Sequence, residues 1–96
     1  MPGVLRITDL CSGHGPCWES RRAISGSPDV YTDGLQNHRL DDLWEVHGSG
    51  DCEPHEGLLS SGSETVFTNG LPQGRIGDSI NCGSVAVTGS ETVFID

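Results

Sequence analysis

Apolar residues occur in short runs along this chain, separated by glycine and polar residues. No segment sustains the three-to-four-residue apolar spacing of an amphipathic helix, and glycine interrupts nearly every segment. The pattern therefore predicts a mostly β protein made of short strands and hairpins joined by turns. It also predicts a loop-rich stretch at residues 44–57.

A Gly-Ser-x-x-Val-aromatic motif occurs three times, at residues 26–31, 62–67 and 89–94. The first two copies continue into Asp-Gly or Asn-Gly, dipeptides typical of tight hairpin turns. We expect the three valines to be buried together, namely Val30, Val66 and Val93. The aromatic that follows each valine points to the opposite face of its strand and either fills out the core or forms an apolar docking surface. These aromatics are Tyr31, Phe67 and Phe94.

A second motif, Arg-apolar-x-Asp, alternates with the first and occurs at residues 6–9, 39–42 and 75–78. Six matches in a fixed alternating order predict three structural repeats. A linear array of only three repeats would leave both ends uncapped. We therefore predict one compact, conical, pseudo-threefold domain over residues 1–96, with the repeats packed around a common axis.

The composition suggests that burial of apolar side chains alone does not hold this fold. The 96 residues include 14 glycines, one tyrosine, two tryptophans and two phenylalanines. Domains of this size have marginal cores and often add a metal ion, disulfides or a partner.

The charge balance excludes two classes of partner. Fourteen acidic residues against five basic ones give a net charge of −9. Nucleic-acid binding needs a basic surface, and so does binding to an anionic membrane, so we expect no nucleic-acid partner and only transient mechanical contact with membranes. No apolar run is long enough for a secretory signal or a membrane span, which predicts synthesis in the cytoplasm without a signal peptide.

Three candidate metal ligands share one position in the repeats: His14, His47 and Cys82, each followed by glycine. Pseudo-threefold packing would bring them to the same height around the axis. A tetrahedral site then needs one further ligand near the axis, and His55, in an insertion found only in the middle repeat, is the natural candidate. Three histidines and one cysteine suit a structural Zn²⁺ ion, or alternatively Fe²⁺. His38, by contrast, is interpreted as a solvated loop residue.

Other cysteine arrangements remain open at this stage. Four cysteines could form two disulfides, but a reducing compartment favours metal binding. Cys52 could replace His55 as a ligand, and Cys11 and Cys17 flank His14 in a possible local site. The favoured interpretation is that Cys11, Cys17 and Cys52 are buried or idle thiols.

Catalysis finds little support in the sequence, so we predict that the chain is not an enzyme. A site with four protein ligands has no open position for water. Glu53 and Glu56 lie near the expected metal, but a general base would need a metal-bound water to act on.

The repeats resemble the PAAR-repeat proteins, the conical tips of contractile-tail spikes in phages and type VI secretion systems. The resemblance rests on one extended motif, Gly-Ser-x-x-Val-Phe-x-Asn-Gly-x-Pro-x-x-Arg-x-Gly-Asp. Residues 62–78 match it almost completely, residues 26–42 match it more loosely, and residues 89–96 match a shortened form. The namesake Pro-Ala-Ala-Arg stretch is altered at residues 35–39 and 72–75, and Asp41 replaces a glycine.

This resemblance implies a spike-tip protein that binds the blunt end of a trimeric β-helical spike, one tip per trimer, and sharpens it for piercing a cell envelope. It implies a location in the virion, at the central spike of the baseplate, or at the tip of a secretion tube. It also implies a metal near the apex, held at the positions of His14, His47, His55 and Cys82. The alternative function is a small metal-stabilised interaction module unrelated to injection machinery.

Overall fold

Short antiparallel strands make up the regular structure of this protein, which a computed structural model describes over residues 1–48 and 50–96. The strands pair in chain order into three two-stranded sheets. They are β1 (Tyr31–Thr32), β2 (Leu35–Gln36), β3 (Leu43–His47), β4 (His55–Leu58), β5 (Phe67–Thr68) and β6 (Leu71–Pro72). The described residues form no helix that could cross a membrane. The molecule measures 39 × 24 × 22 Å, and the mostly β, conical architecture predicted from the repeats is confirmed.

Two of the sheets are the hairpins that the Asp-Gly and Asn-Gly dipeptides predict. Asp33 and Asn69 both have φ of 54°, and the glycine after each has φ of 80°. Two consecutive positive φ angles characterise the turn type whose twist matches that of paired strands. In the third repeat Phe94 instead bridges Gly3, so the first residues of the chain complete the last unit.

A ring of three backbone hydrogen bonds marks the pseudo-threefold axis. The amide of Leu5 donates to the carbonyl of Gly74, that of Gly74 to His38, and that of His38 to Leu5, each at 3.0 Å. These three residues occupy the same repeat position, immediately before the arginine of the second motif. The three repeats therefore close on one another rather than forming a linear array.

One side chain, Gln73, closes this ring from the side. Its Nε2 donates to all three ring carbonyls, those of Leu5, His38 and Gly74, at 3.2, 2.9 and 3.0 Å. Its Oε1 accepts hydrogen bonds from Asn37 and Thr68. Gln73 is only 1% exposed, so these contacts satisfy polar groups that water cannot reach.

The Arg-apolar-x-Asp motif forms the same clasp in each repeat. The carboxylate of the aspartate accepts hydrogen bonds from both the backbone amide and the guanidinium of the arginine three residues earlier, and a serine or threonine hydroxyl from another segment also donates to it. The aspartates are 4–8% exposed. The three pairs are Arg6–Asp9, Arg39–Asp42 and Arg75–Asp78. This motif is therefore structural.

The apolar core lies around the axis in a layer built from equivalent bridges. In each bridge, a residue two positions after the clasp aspartate pairs with one from another repeat. The bridges are Cys11 with Ala86, Trp44 with Ala23, and Ile80 with Leu59. All six side chains are at most 3% exposed.

The expected burial of the motif valines is wrong. Val30 is 37% exposed and Val93 is 41% exposed, whereas the motif serines are almost fully buried. The Oγ of each serine accepts the backbone amide of the valine three residues later, which turns the serine inwards and the valine outwards. The buried serines are Ser27, Ser63 and Ser90.

The predicted loop at residues 44–57 is also wrong in large part, because it contains most of β3 and β4, the longest strands. The two strands pair with a register shift between Trp44 and His47, where β3 carries one residue more than β4. This bulge breaks the alternation of apolar and polar residues, which is why the sequence pattern did not indicate a strand.

His38 is buried rather than solvated. Its side chain has no exposed surface, its Nδ1–H donates to the carbonyl of Ser25 at 2.8 Å, and its ring packs edge-on against Trp44. His38 is buried because it shares the axial repeat position of Leu5 and Gly74. The side chains at this position differ in size. Leu5, together with the nearby Leu59, leaves room only for a glycine at position 74, because a Cβ on Gly74 would lie 2.9 Å from Leu5 and 2.7 Å from Leu59.

Burial lowers the pKa of His38, and this gives a testable pH dependence. In the unfolded chain the histidine pKa is about 6.5, so at lower pH the unfolded chain binds a proton more readily than the folded chain does. The contribution of His38 to the free energy of unfolding is therefore fully present above this unfolded-state pKa and is lost as the pH falls below it. Replacing His38 with Leu, the residue at the equivalent position 5, is expected to reduce the fall in melting temperature between pH 7.5 and pH 5. Equal falls in the metal-loaded variant and wild type would contradict this prediction, because the other histidines are common to both.

Candidate metal centre

Four side chains with metal-binding atoms converge at one point: the three that share a repeat position, His14, His47 and Cys82, and His55 from the insertion. Their ligand atoms all lie within 4.8 Å of one another. The three Nε2 atoms are closest, with 3.1 Å between His14 and His47, 3.0 Å between His14 and His55, and 2.8 Å between His47 and His55. The fourth ligand atom is the Sγ of Cys82.

The bulge between β3 and β4 places two of these ligands. In a regular strand His47 would face away from Trp44, since residues three apart lie on opposite faces. The extra residue restores both to the buried side, and His47 then pairs directly with His55 across the sheet. The insertion in the middle repeat thus supplies a ligand, because the chain turns back after β3 and pairs with it as β4.

The glycine after each register-related ligand has a structural reason. Gly15, Gly48 and Gly83 have φ of 98°, 135° and 106°. Other residues rarely adopt this region, so glycine lets each chain segment turn immediately after its ligand. The shared conformation confirms that the three segments are equivalent.

The histidine arrangement fits a cation better than a hydrogen-bonded network. Each Nε2 carries either a proton or a lone pair, so three mutual contacts near 3 Å cannot all be hydrogen bonds. The Nδ1–H of His47 donates to the carbonyl of Glu19 at 2.7 Å, which leaves its Nε2 lone pair facing the cluster. Tetrahedral zinc ligands lie roughly 3.3 Å apart for metal–nitrogen distances of about 2.0 Å, close to the separations observed.

Electrostatics keeps one of these ligands in its metal-binding form. Burial, together with repulsion from His47 and His55, lowers the pKa of His14. At neutral pH its imidazole is therefore uncharged and can coordinate a metal. His47 is the most buried of the four ligands, at 4% exposure.

The chemistry of such a site is structural. A four-coordinate shell of three imidazoles and one thiolate suits Zn²⁺ and also accommodates Fe²⁺. When bound, the ion would join segments from all three repeats and add folding free energy. His14, His47, His55 and Cys82 would hold it.

The remaining cysteines do not join the cluster. Cys11 is a buried thiol in the core, as expected. The interpretation of Cys17 and Cys52 as idle thiols is wrong, because they form a disulfide with Cα atoms 6.0 Å apart. Neither has a counterpart in another repeat, so a comparison of repeats could not pair them. Both the local site around His14 and the use of Cys52 as a ligand are thereby excluded.

Sequence reasoning also missed Trp18, which covers the site. Its ring stacks on His14 with centroids 5.1 Å apart and planes 9° apart, and on His55 at 5.8 Å and 23°. Its Nε1–H donates to the carbonyl of Glu53 at 2.9 Å. Trp18 belongs to no repeat motif, and only its position four residues after His14 could have drawn attention to it.

Comparison with known proteins agrees with this architecture. The profile of the PAAR motif family matches residues 49–96, half of the chain. Double-stranded DNA deaminase toxin A of Burkholderia cenocepacia (strain H111) is 33% identical over 78 residues, which cover 79% of this chain. The aligned part is only 5% of that toxin, so the similarity concerns a small portion of a much longer protein. With its three closed repeats and its family match, this chain belongs to the PAAR motif family, whose proteins are associated with the spike tips of phage tails and type VI secretion machinery.

Proposed function

We propose that this chain caps the blunt end of a trimeric β-helical spike, one chain per trimer, and sharpens the spike for piercing a cell envelope. The observation that carries the proposal is a threefold set of exposed aromatic side chains on a single chain. Tyr31, Phe67 and Phe94 are 57%, 56% and 51% exposed, and all three occupy the same repeat position. A pseudo-threefold surface suits a partner with true threefold symmetry.

The position of these aromatics in the fold supports docking. Tyr31 begins β1 and Phe67 begins β5, and Phe94 makes the equivalent bridge to Gly3. From each hairpin the chain passes through the axial ring and the core layer to a metal ligand. This order along the chain supports a base formed by the hairpins and an apex at the metal centre.

The alternative that the aromatics fill out the core does not agree with their exposure. Exposed aromatic residues in a symmetric set indicate an interaction surface, because burying such surface on a partner is strongly favourable. Of the two roles considered for these residues, docking is the better supported.

A structural role also accounts for the metal centre without catalysis. Three histidines and a cysteine saturate a tetrahedral ion, so no position is left for a reacting water. The ion would instead fasten the apex, where segments from three repeats meet and few apolar side chains are available. The net charge of −9 disfavours retention on an anionic membrane, which agrees with transient passage.

The docking proposal predicts the effect of removing the aromatics. A variant with Tyr31, Phe67 and Phe94 all replaced by serine is expected to bind the C-terminal part of its cognate β-helical spike roughly 100-fold more weakly or worse. The reason is that aromatic anchors supply much of the energy of such interfaces. Calorimetry gives the affinity, and light scattering on the wild-type complex should show one chain per trimer.

The control for this experiment replaces three equally exposed apolar residues outside the hairpins. Ile24, Val46 and Val87 are 51%, 49% and 46% exposed, and their triple serine variant should bind like wild type. Absence of binding by the wild-type chain to its cognate spike would refute the proposal. Equal weakening in both triple variants would assign the docking surface elsewhere.

A further inference from the structure

The disulfide between Cys17 and Cys52 joins the loop that follows His14 to the loop that leads into β4 and His55. Cys17 lies three residues after His14, and Cys52 lies three residues before His55. The two cysteines are 35 residues apart in sequence. The disulfide therefore ties one side of the metal site to the other.

The residues next to the disulfide form a cover over the same two ligands. Trp18, adjacent to Cys17, stacks on both His14 and His55. Its indole N–H is fixed by the carbonyl of Glu53, adjacent to Cys52. The disulfide thus reinforces a contact that already holds the two loops over the histidines.

The three ligands other than His14 are held by strand pairing or by the core. His47 in β3 pairs with His55 in β4. Cys82 packs against the apolar core, close to the buried Ile80. Separating the Cys17 loop from the Cys52 loop would consequently free His14 and leave the other three ligands in place.

We propose that Cys17 and Cys52 form a redox latch that traps the metal ion. The proposal rests on the metal centre described above and not on docking to a spike. With both thiols reduced, the two loops can separate and the ion can enter or leave. With the disulfide formed, a histidine that detaches stays beside the ion and binds again before the ion escapes.

The chemistry of the latch is thiol–disulfide exchange. One cysteine thiolate attacks a low-molecular-weight disulfide such as oxidised glutathione, forming a mixed disulfide and releasing one thiol. The second cysteine then attacks the mixed disulfide, forming the Cys17–Cys52 bond and releasing the second thiol. The two cysteines lose two electrons and two protons, and the small disulfide gains them. Both cysteines are half-buried, so a small thiol reagent can reach them. A chain made in a reducing compartment would bind its ion while both thiols are reduced. The disulfide would form when the chain reaches an oxidising compartment.

The test measures how fast zinc leaves the protein. Wild-type protein is loaded with Zn²⁺, prepared in oxidised and in dithiothreitol-reduced form, freed of reagent, and mixed with a chromogenic chelator. Release from the oxidised form is expected to be roughly tenfold slower or more, because His14, held near the ion by the disulfide, rebinds within one molecule. A variant with Cys17 and Cys52 both replaced by serine should release zinc at the faster rate under either condition.

Cys11→Ser is the matched control, since Cys11 is a thiol outside the latch, and it should keep the redox dependence of the wild type. Circular dichroism of every form checks the fold, and the wild-type comparison remains decisive if the double variant does not fold. Equal release rates from the oxidised and reduced wild type would overturn the latch. Absence of bound zinc in both states would overturn it together with the metal centre, whereas the spike-docking proposal is tested by its own experiment.

Discussion

Replacing His55 with Ala is expected to abolish stoichiometric metal binding and to destabilise the protein more than any surface change. His55 supplies one of three Nε2 atoms within 3.1 Å of one another, and Cys52, the other candidate for this ligand position, is held in the disulfide. Structural zinc contributes on the order of 10 kcal/mol where binding and folding are coupled. This is comparable to the whole stability of a typical domain, so loss of the ion should leave a marginal fold.

Elemental analysis and thermal unfolding measure this effect. Wild-type protein should carry about one equivalent of Zn or Fe and unfold at a markedly lower temperature after chelation, as a four-ligand structural site requires. Glu56→Ala is the control, since Glu56 is the exposed neighbour of His55 on β4 and should leave both metal content and stability unchanged. An unaltered melting temperature in His55→Ala, or in the chelated wild type, would remove the structural role of the ion.

The repeats made both the architecture and the candidate ligands predictable from sequence. Aligning the Arg-apolar-x-Asp motifs placed His14, His47 and Cys82 in one register, and the structure brings these side chains together with His55. These side chains meet because equivalent positions in closed repeats lie at equal heights around the axis. A ligand outside the register, such as His55, could be chosen only because a tetrahedral shell needs a fourth group.

Features that break the repeat were the ones that sequence reasoning missed. His38 was missed because its side chain is polar, although it shares its axial position with Leu5 and Gly74, both of which are buried. The disulfide and Trp18 occur in single-copy loops whose contacts depend on how far the loops fold back. The motif serine and valine exchanged their expected faces because a hydroxyl accepting a backbone amide outweighed the apolar pattern.

Gln73→Glu, a change of one nitrogen to oxygen, is the second substitution for which we expect a large effect. Nε2 of Gln73 faces the carbonyl oxygens of the axial ring at 2.9–3.2 Å. In Gln73→Glu the new carboxylate oxygen would face these three acceptors without a donor, and only the other oxygen would keep its donors, Asn37 and Thr68. The side chain is 1% exposed, so water cannot compensate, and uncompensated buried charge costs about 3–5 kcal/mol. Urea unfolding of the metal-loaded protein should show this loss, and Gln36→Glu is the matched control.

The control and the pH dependence of this substitution separate charge from shape. Nε2 of Gln36 donates to a single carbonyl, that of Ser27, from a half-buried position, so Gln36→Glu should cost far less. Burial would raise the pKa of the introduced Glu in the folded state above its unfolded value near about 4.3. Between these two pKa values the folded variant binds a proton that the unfolded chain has lost. The free energy of unfolding of the variant should therefore fall furthest below that of the wild type at a pH above the folded-state pKa. This difference should shrink as the pH falls towards the unfolded-state pKa. A deficit independent of pH would mean that side-chain shape, rather than the three carbonyls of the ring, determines the cost.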